Sequence, residues 1–416
     1  MRPPDSSSSC PRLRYSRRRA PMLASALLAV ALGCREDAES PTGPQTEPTL
    51  ATDAAAAALS FAQVSTGGFH SCGVTTDGRA YCWGGNDKGQ LGNGTIDVWH
   101  TAGKAPSAVV GGLRFSHVSA GYEHSCGVTT DDRVYCWGFN FWGQVGDGTK
   151  GEDNWRLTPT AVAGGRRFRQ VRAGWSHTCA ITRSDVAFCW GYNGNGQLGD
   201  GTTTTAGRAT PVRVLGGLQW RQLGGGAEHT CGVTQSDQVY CWGLNDRGQL
   251  GNGTTGRRLK PVPVSGGRQF QQVDAGGFHT CAVSTANLAY CWGLNFEGAL
   301  GDGTTIERLT PGAVAGLRRF DHLNAGAYHT CGVTMAGRGF CWGSNDQGQL
   351  GDGTLTRRLT PVRLGIALEL RQVAASNLHT CSVTTGNRAY CWGNGGLLGD
   401  GTNMRRTLPV PVAAPM

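Results

Sequence analysis

The chain has 416 residues, among them 66 glycines, 16 cysteines and 12 tryptophans, and only 16% of its side chains are charged. That length admits two or three ordinary domains or one large repeat domain, and the tryptophan and cysteine content excludes a disordered chain. Of the formal charge of +9, residues 1–33 hold six arginines against one aspartate. With no lysine or arginine block in the remainder to track a phosphate backbone, nucleic acid is not an expected partner.

Arg17, Arg18 and Arg19 precede an apolar run from Met22 to Leu32, which has signal-peptide length and is too short to span a bilayer. The run ends in Ala31-Leu32-Gly33-Cys34, which resembles a bacterial lipoprotein signal; alanine at its first position departs from the usual leucine. Residues 1–33 are read as a signal peptide and Cys34 as the expected lipidation site, with an ordinary cleaved secretory signal as the alternative. Either way the protein is expected outside the cytoplasm, as an outer or cell-surface membrane lipoprotein or secreted, touching membrane only through an N-terminal lipid. Residues 34–60, rich in Pro, Thr, Glu and Ala, read as a flexible tether that can build no buried face.

From Phe61 one pattern recurs seven times: Ala-Gly-x-x-His-Thr-Cys-Gly-Val-Thr, then Tyr-Cys-Trp-Gly, then Asn-x-x-Gly-Gln-Leu-Gly-Asp-Gly-Thr, then Pro-Val. The first cysteines, Cys72, Cys126, Cys179, Cys231, Cys281, Cys331 and Cys381, are spaced by 54, 53, 52, 50, 50 and 50 residues. A fixed period of this size means a solenoid or a propeller. Each repeat reads as four short strands; in the third these are Arg167 to Arg172, His177 to Thr182, Ala187 to Gly191 and Pro211 to Leu215. No sustained helical period occurs. The expected fold of residues 61–416 is all-β, a seven-bladed propeller of four-stranded antiparallel blades. All seven copies read as complete, from Phe61 to Ala413, so closure requires contact between the first and last blades.

His-Thr-Cys-Gly-Val-Thr followed by Tyr-Cys-Trp-Gly-x-Asn-x-x-Gly-Gln-Leu-Gly resembles the regulator of chromosome condensation repeat family over about 350 residues. The resemblance implies a seven-bladed propeller whose relatives bind other proteins with loops on one face. It implies little more, because this fold hosts many functions. Those relatives include a nuclear guanine-nucleotide exchange factor, a plant UV-B photoreceptor and a secreted β-lactamase inhibitor.

Fourteen cysteines form seven Cys-x9-Cys pairs: Cys72 and Cys82, Cys126 and Cys136, Cys179 and Cys189, Cys231 and Cys241, Cys281 and Cys291, Cys331 and Cys341, Cys381 and Cys391. Each pair spans the hairpin between the second and third strands. The third hairpin position, which must be left-handed, is Gly78, Asp132, Asp185, Asp237, Asn287, Gly337 or Asn387, all tolerant of positive φ. That register sets each pair face to face, with Cα atoms roughly 4.5 Å apart, and export favours disulfides. Zinc is the rival reading, but two cysteines on adjacent strands supply half a site.

Repeated polar positions are read as architecture. Seven histidines two before the first cysteine are expected to tie the second strand to a neighbouring turn, since equivalent positions on a ring are too far apart to share an ion. Asp147, Asp200, Asp302, Asp352 and Asp400, with Asn93 and Asn252, are expected to form Asx turns, one carboxylate being too few for calcium. The tryptophans after the second cysteines are blade core. No nucleophile motif, phosphate loop or paired carboxylates mark an enzyme, and no cofactor or metal is expected.

Positions that vary between repeats are free to bind. Phe69, Tyr122, Trp175, Phe278 and Tyr328, in the pair before each histidine, are expected in one slot on one face around the axis, with Glu123 and Glu228 as an acidic rim. Packing against the neighbouring blade is the alternative. In the photoreceptor relative, the resemblance places the tryptophan of the matching Gly-Trp-x-His motif at a protein contact surface. The expected function is an extracytoplasmic protein-binding scaffold, acting as a monomer. A carbohydrate-binding module and, by family analogy, a guanine-nucleotide exchange factor are the alternatives.

Overall fold

A computed structural model describes residues 59–97 and 105–415; Cys34 and the expected signal peptide lie outside them. Seven four-stranded antiparallel sheets follow one another in chain order, Phe61–Ala108, Phe115–Ala161, Phe168–Arg213, Trp220–Pro263, Phe270–Ala313, Phe320–Arg363 and Leu370–Pro411. Within each blade the strands, here A to D from the axis outward, lie in sequence order, so no blade borrows a strand from another.

Every blade closes its B–C hairpin in the left-handed form. All seven third loop positions have positive φ, between +60° and +82°. Cys72 faces Cys82 in register, and the other six pairs do likewise, bonded with Cα atoms 4.0–4.1 Å apart.

Outer strands depart from expectation. In the third blade strand D is Thr204–Arg213, beginning well before Pro211. Strand C continues to Asn193, which pairs with Thr204, and the irregular ladder turns at Gly207, φ +69°, where an added Cβ would lie 2.2 Å from the Trp142 carbonyl oxygen. In the first blade strand D is only Ser107–Ala108. The seventh repeat is contracted: its C–D connection is two residues shorter than that of the sixth and forms a short 3₁₀ turn at Gly395–Leu397.

Hydrophobic cores lie between blades. Cys72, Val74, Cys82 and Leu91 of the first blade pack on Phe115, Val118 and Trp137 of the second, and the same set recurs at the junction of seventh and first through Cys381, Val383, Cys391, Phe61, Val64 and Trp83. Each disulfide is therefore a wall of the inter-blade core.

The histidines make a different contact from the expected one. Their Nε2 atoms meet the Ser or Thr hydroxyl on strand B of the next blade: His124 to Thr178 at 2.9 Å, His177 to Thr230 at 2.9 Å, and so on to His379 and Ser71 at 2.6 Å. The Thr178 hydroxyl spends its proton on the Gln144 carbonyl, 2.8 Å away, so it accepts from His124 Nε2–H and leaves Nδ1 bare. Burial lowers all seven imidazole pKa values, to about 3 at His124 and about 4 at His177.

A second ring of ties was not read from the sequence. Gln63, His117, Gln170, Gln222, Gln272, His322 and Gln372 bond the backbone of the next blade's strand A. Gln372 donates to the Val64 carbonyl at 2.9 Å and accepts from its amide at 3.1 Å, closing the ring in the manner of a ladder pair. All seven lie nine residues before the first cysteine, a recurrence that was available as a signal.

Candidate functional site

Antiparallel order places the A–B turns and C–D connections of every blade at one end of the propeller, and the B–C hairpins and D-to-A connections at the other. The Gln and His ties join successive A strands in equal register, so the seven A–B turns surround one axial mouth.

Five aromatic side chains meet there in an unbroken series. Phe69 contacts Tyr122 edge-on at 4.9 Å between ring centroids, Tyr122 contacts Trp175 at 5.0 Å, Trp175 contacts Phe278 at 5.9 Å, and Phe278 stacks on Tyr328 at 6.3 Å. All five are half-buried. Phe296, 48% exposed, extends the series from Tyr328 at 5.5 Å. Trp175 and Phe278 belong to the third and fifth blades, so their contact passes over the buried Ala227 of the fourth. A second track on the same end runs Phe139, Phe141, Trp142 and Tyr192.

The five rings do not share one slot. Phe69, Phe278 and Tyr328 directly precede the histidine, whereas Tyr122 and Trp175 stand one residue earlier. Space accounts for the first of these offsets: Tyr122 lies over Gly68, where an added Cβ would be 2.5 Å from the ring, so the first blade carries its ring one residue later, at Phe69.

Glu123 and Glu228 flank the rings and are also half-buried. Burial raises the pKa of both; Asp87 adds to the effect at Glu123 and Asp246 at Glu228. Asn195 Nδ2 donates to Glu228 at 2.5 Å. Tyr122 is raised by burial and by the nearby Glu123 and Tyr328.

Beneath the mouth is an axial cavity of about 100 Å³ lined by the ends of the A strands, including Ser65, Arg172, Asp274 and Asn324. Asp274 accepts from Asn324 Nδ2 at 2.7 Å and from the Ala325 amide at 3.0 Å. Burial pushes its pKa up to about 6, against the opposing influence of the Arg172 charge.

The Asx residues build turns. Asp147 accepts from the Thr149 amide at 2.9 Å and pairs with Arg156 at 2.6 Å; Asp302, Asp352 and Asp400 repeat this with Arg308, Arg358 and Arg406. Each such carboxylate is already neutralised by its own blade. Among the described residues no group of three or more His, Cys, Asp or Glu is arranged to hold a metal ion.

The family model described as the RCC1-like domain matches residues 29–265 and 100–416. Among curated proteins the chain is 34% identical over 193 residues to the ultraviolet-B receptor UVR8 of Arabidopsis thaliana, covering 46% of this chain and 43% of that one. It is 32% identical over 198 residues to the probable E3 ubiquitin-protein ligase HERC4 of Homo sapiens, covering 47% of this chain and 18% of that one. The matches thus span less than half the length of these relatives. Among solved structures, Prp20p of Saccharomyces cerevisiae superposes with a TM-score of 0.71 at 20% identity, covering 82% of this chain and 87% of that one. Human WBSCR16 superposes with a TM-score of 0.70 at 21% identity, covering 79% and 88%. At these identities the likeness is one of fold.

Proposed function

This chain belongs to the RCC1-like domain family, and we propose that it is a protein-binding scaffold of an extracytoplasmic compartment, engaging its partner through the axial mouth. The observation that carries the reading is the continuous series of half-buried rings from Phe69 to Tyr328, rimmed by Glu123 and Glu228. Rings that keep one face in solvent and are braced by their neighbours present apolar area at little entropic cost, as interface anchors do. The structure of Prp20p was described together with its binding to Gsp1p and histones, which supports a binding role for a propeller of this kind. Seven buried disulfides suit an oxidising compartment, in keeping with export by residues 1–33 and with lipidation at Cys34.

The test compares capture from envelope extract by the chain and by its Trp175→Ala variant, followed by reconstitution with the captured protein. Binding should weaken by about 1–2 kcal/mol in the variant. Equal affinity of both forms would remove the mouth as the site. Saturable binding on a glycan array, with no protein captured, would assign the same rings to carbohydrate.

A further inference from the structure

The end of the propeller opposite the aromatic mouth collects positive charge from all seven blades. Its aspartates are already held: Asp77 by Arg79 and Arg114, Asp131 by Arg133 and Arg167, Asp132 by Arg183, Asp185 by Arg169 and Asp237 by Arg221. Asp321 and Glu369 are the other acids of this end. Arg213, Arg268, Arg318, Arg338, Arg363 and Arg388 stand on the same hairpins, connections and strand D ends, and none has a carboxylate within ion-pair reach among the described residues. Arg268 lies over Tyr290 at 4.9 Å and Arg318 over Phe340 at 4.6 Å, Arg318 Nη1 also donating to the Ala315 carbonyl at 3.5 Å, so each guanidinium is held in place with N–H groups left to offer.

Two further observations belong to this end. Leu317, beside Arg318, is 78% exposed, and Met335 is 58% exposed. The polypeptide also enters the first blade here: the Ser60 carbonyl accepts from the Thr76 amide of the first B–C hairpin, and the Phe61 amide donates to Asn387 of the last.

We propose that this end docks on an anionic lipid surface, the unpaired arginines meeting headgroup phosphates and Leu317 and Met335 entering the interface. Guanidinium forks match phosphate oxygens, and exposed aliphatic side chains among them gain by leaving water. The exposed apolar residues at the arginine-rich end are aliphatic, whereas a single-strand nucleic-acid groove would offer aromatic platforms to the bases. Docking by this end aligns with the entry of the N-terminal segment and leaves the aromatic mouth turned away from the bilayer, open to a partner. Since the two surfaces lie at opposite ends, this inference does not depend on the protein-binding reading.

The experiment uses the chain from residue 34 onward carrying Cys34→Ser, so that neither the basic, apolar leader nor an acyl chain contributes, in sedimentation with vesicles of phosphatidylcholine alone or mixed with phosphatidylglycerol. The chain should sediment with the mixed vesicles only, and raised salt should release it. Each arginine near such a surface is worth about a fivefold change in partitioning, so Arg268→Gln, Arg318→Gln and Arg338→Gln together should weaken it on the order of 100-fold. The corresponding lysine variants should retain most of the binding, which separates charge from folding. Equal partitioning into neutral vesicles, unchanged partitioning of the glutamine variant, or tighter binding to homopolymeric RNA than to the mixed vesicles would each overturn the proposal.

Discussion

The junctions between blades and the axial mouth are made by adjacent residues under opposite constraints. His177 and Trp175 stand two positions apart, yet the imidazole is wholly buried and repeated seven times, while the indole is half-buried and present once. Repetition follows from the work of the junction: every blade must present the same hydroxyl, tryptophan and disulfide to the next, or the ring fails to close. The mouth answers only to what lies above it and is free to vary. Substitution at a junction should therefore cost stability, and substitution at the mouth should cost binding.

The largest expected effect comes from acid. The seven imidazoles have folded values of about 3 to 4, below the ordinary 6.5. Their contribution is complete above pH 6.5 and is lost as pH falls toward the folded values. All seven must take up a proton when the chain unfolds in acid, and they act in the same direction, so the loss of stability steepens as pH falls below 6. Asp274 acts in the opposite sense. Its folded value is raised to about 6, so its contribution is complete below the ordinary carboxylate value and is lost as pH rises through 6. One carboxyl is worth at most about 3 kcal/mol, and the histidines prevail. Thermal unfolding followed by circular dichroism should show the midpoint falling steeply between pH 6 and 4; a flat profile there would contradict the ring of neutral imidazoles.

Removing one staple is the next largest change. Cys179→Ser with Cys189→Ser opens a loop of sequence separation 10 and should cost about 2–3 kcal/mol in denaturant unfolding. Mass spectrometry of the unreduced protein should find only intra-blade bonds. At the mouth, Trp175→Ala should reduce partner affinity by about 1–2 kcal/mol while costing only about 1 kcal/mol of stability, through its contacts with Tyr122 and Phe278. An unfolding loss of several kcal/mol would move Trp175 to the junction side of the comparison.

The smallest effect separates one junction from the others. Trp137 Nε1 donates to the Gln90 carbonyl at 2.9 Å, and the tryptophans of the later blades repeat this bond on the preceding blade. Trp83 faces the contracted seventh C–D connection, and its buried Nε1 finds no acceptor among the described residues. Trp83→Phe should therefore be about 1 kcal/mol less destabilising than Trp137→Phe. Equal losses would mean that the closing junction is bonded like the rest.

The seventh blade carries a compensation of its own. Where six repeats place glycine against the histidine ring, it has Ser376, whose hydroxyl meets His379 Nδ1 at 2.9 Å. Both differences were present in the sequence as a missing pair of residues and a glycine-to-serine change. The serine's bond is local, to a histidine three residues on, whereas the shortened connection acquires its meaning only where the last blade meets Trp83 of the first.

The blade count, hairpin register and cysteine pairing were legible from one dimension because each is local. A three-residue loop with a left-handed third position dictates which residues face one another, and seven independent copies repeat the instruction. The histidine contacts were legible only as a recurrence, since their partners lie some 50 residues onward on another blade. The aromatic mouth was foreseen as a set of residues but not as a chain of contacts: that Trp175 reaches Phe278 across Ala227 depends on the curvature of the ring. The arginine-rich end was hidden altogether. No stretch of the sequence is strongly basic after the first 33 residues, and the charge appears only when hairpins from seven blades are gathered on one side. Local backbone chemistry, repeated at a fixed period, determines the blade. Closure of the ring, which brings side chains 50 and 300 residues apart to one place, decides which surfaces the protein presents.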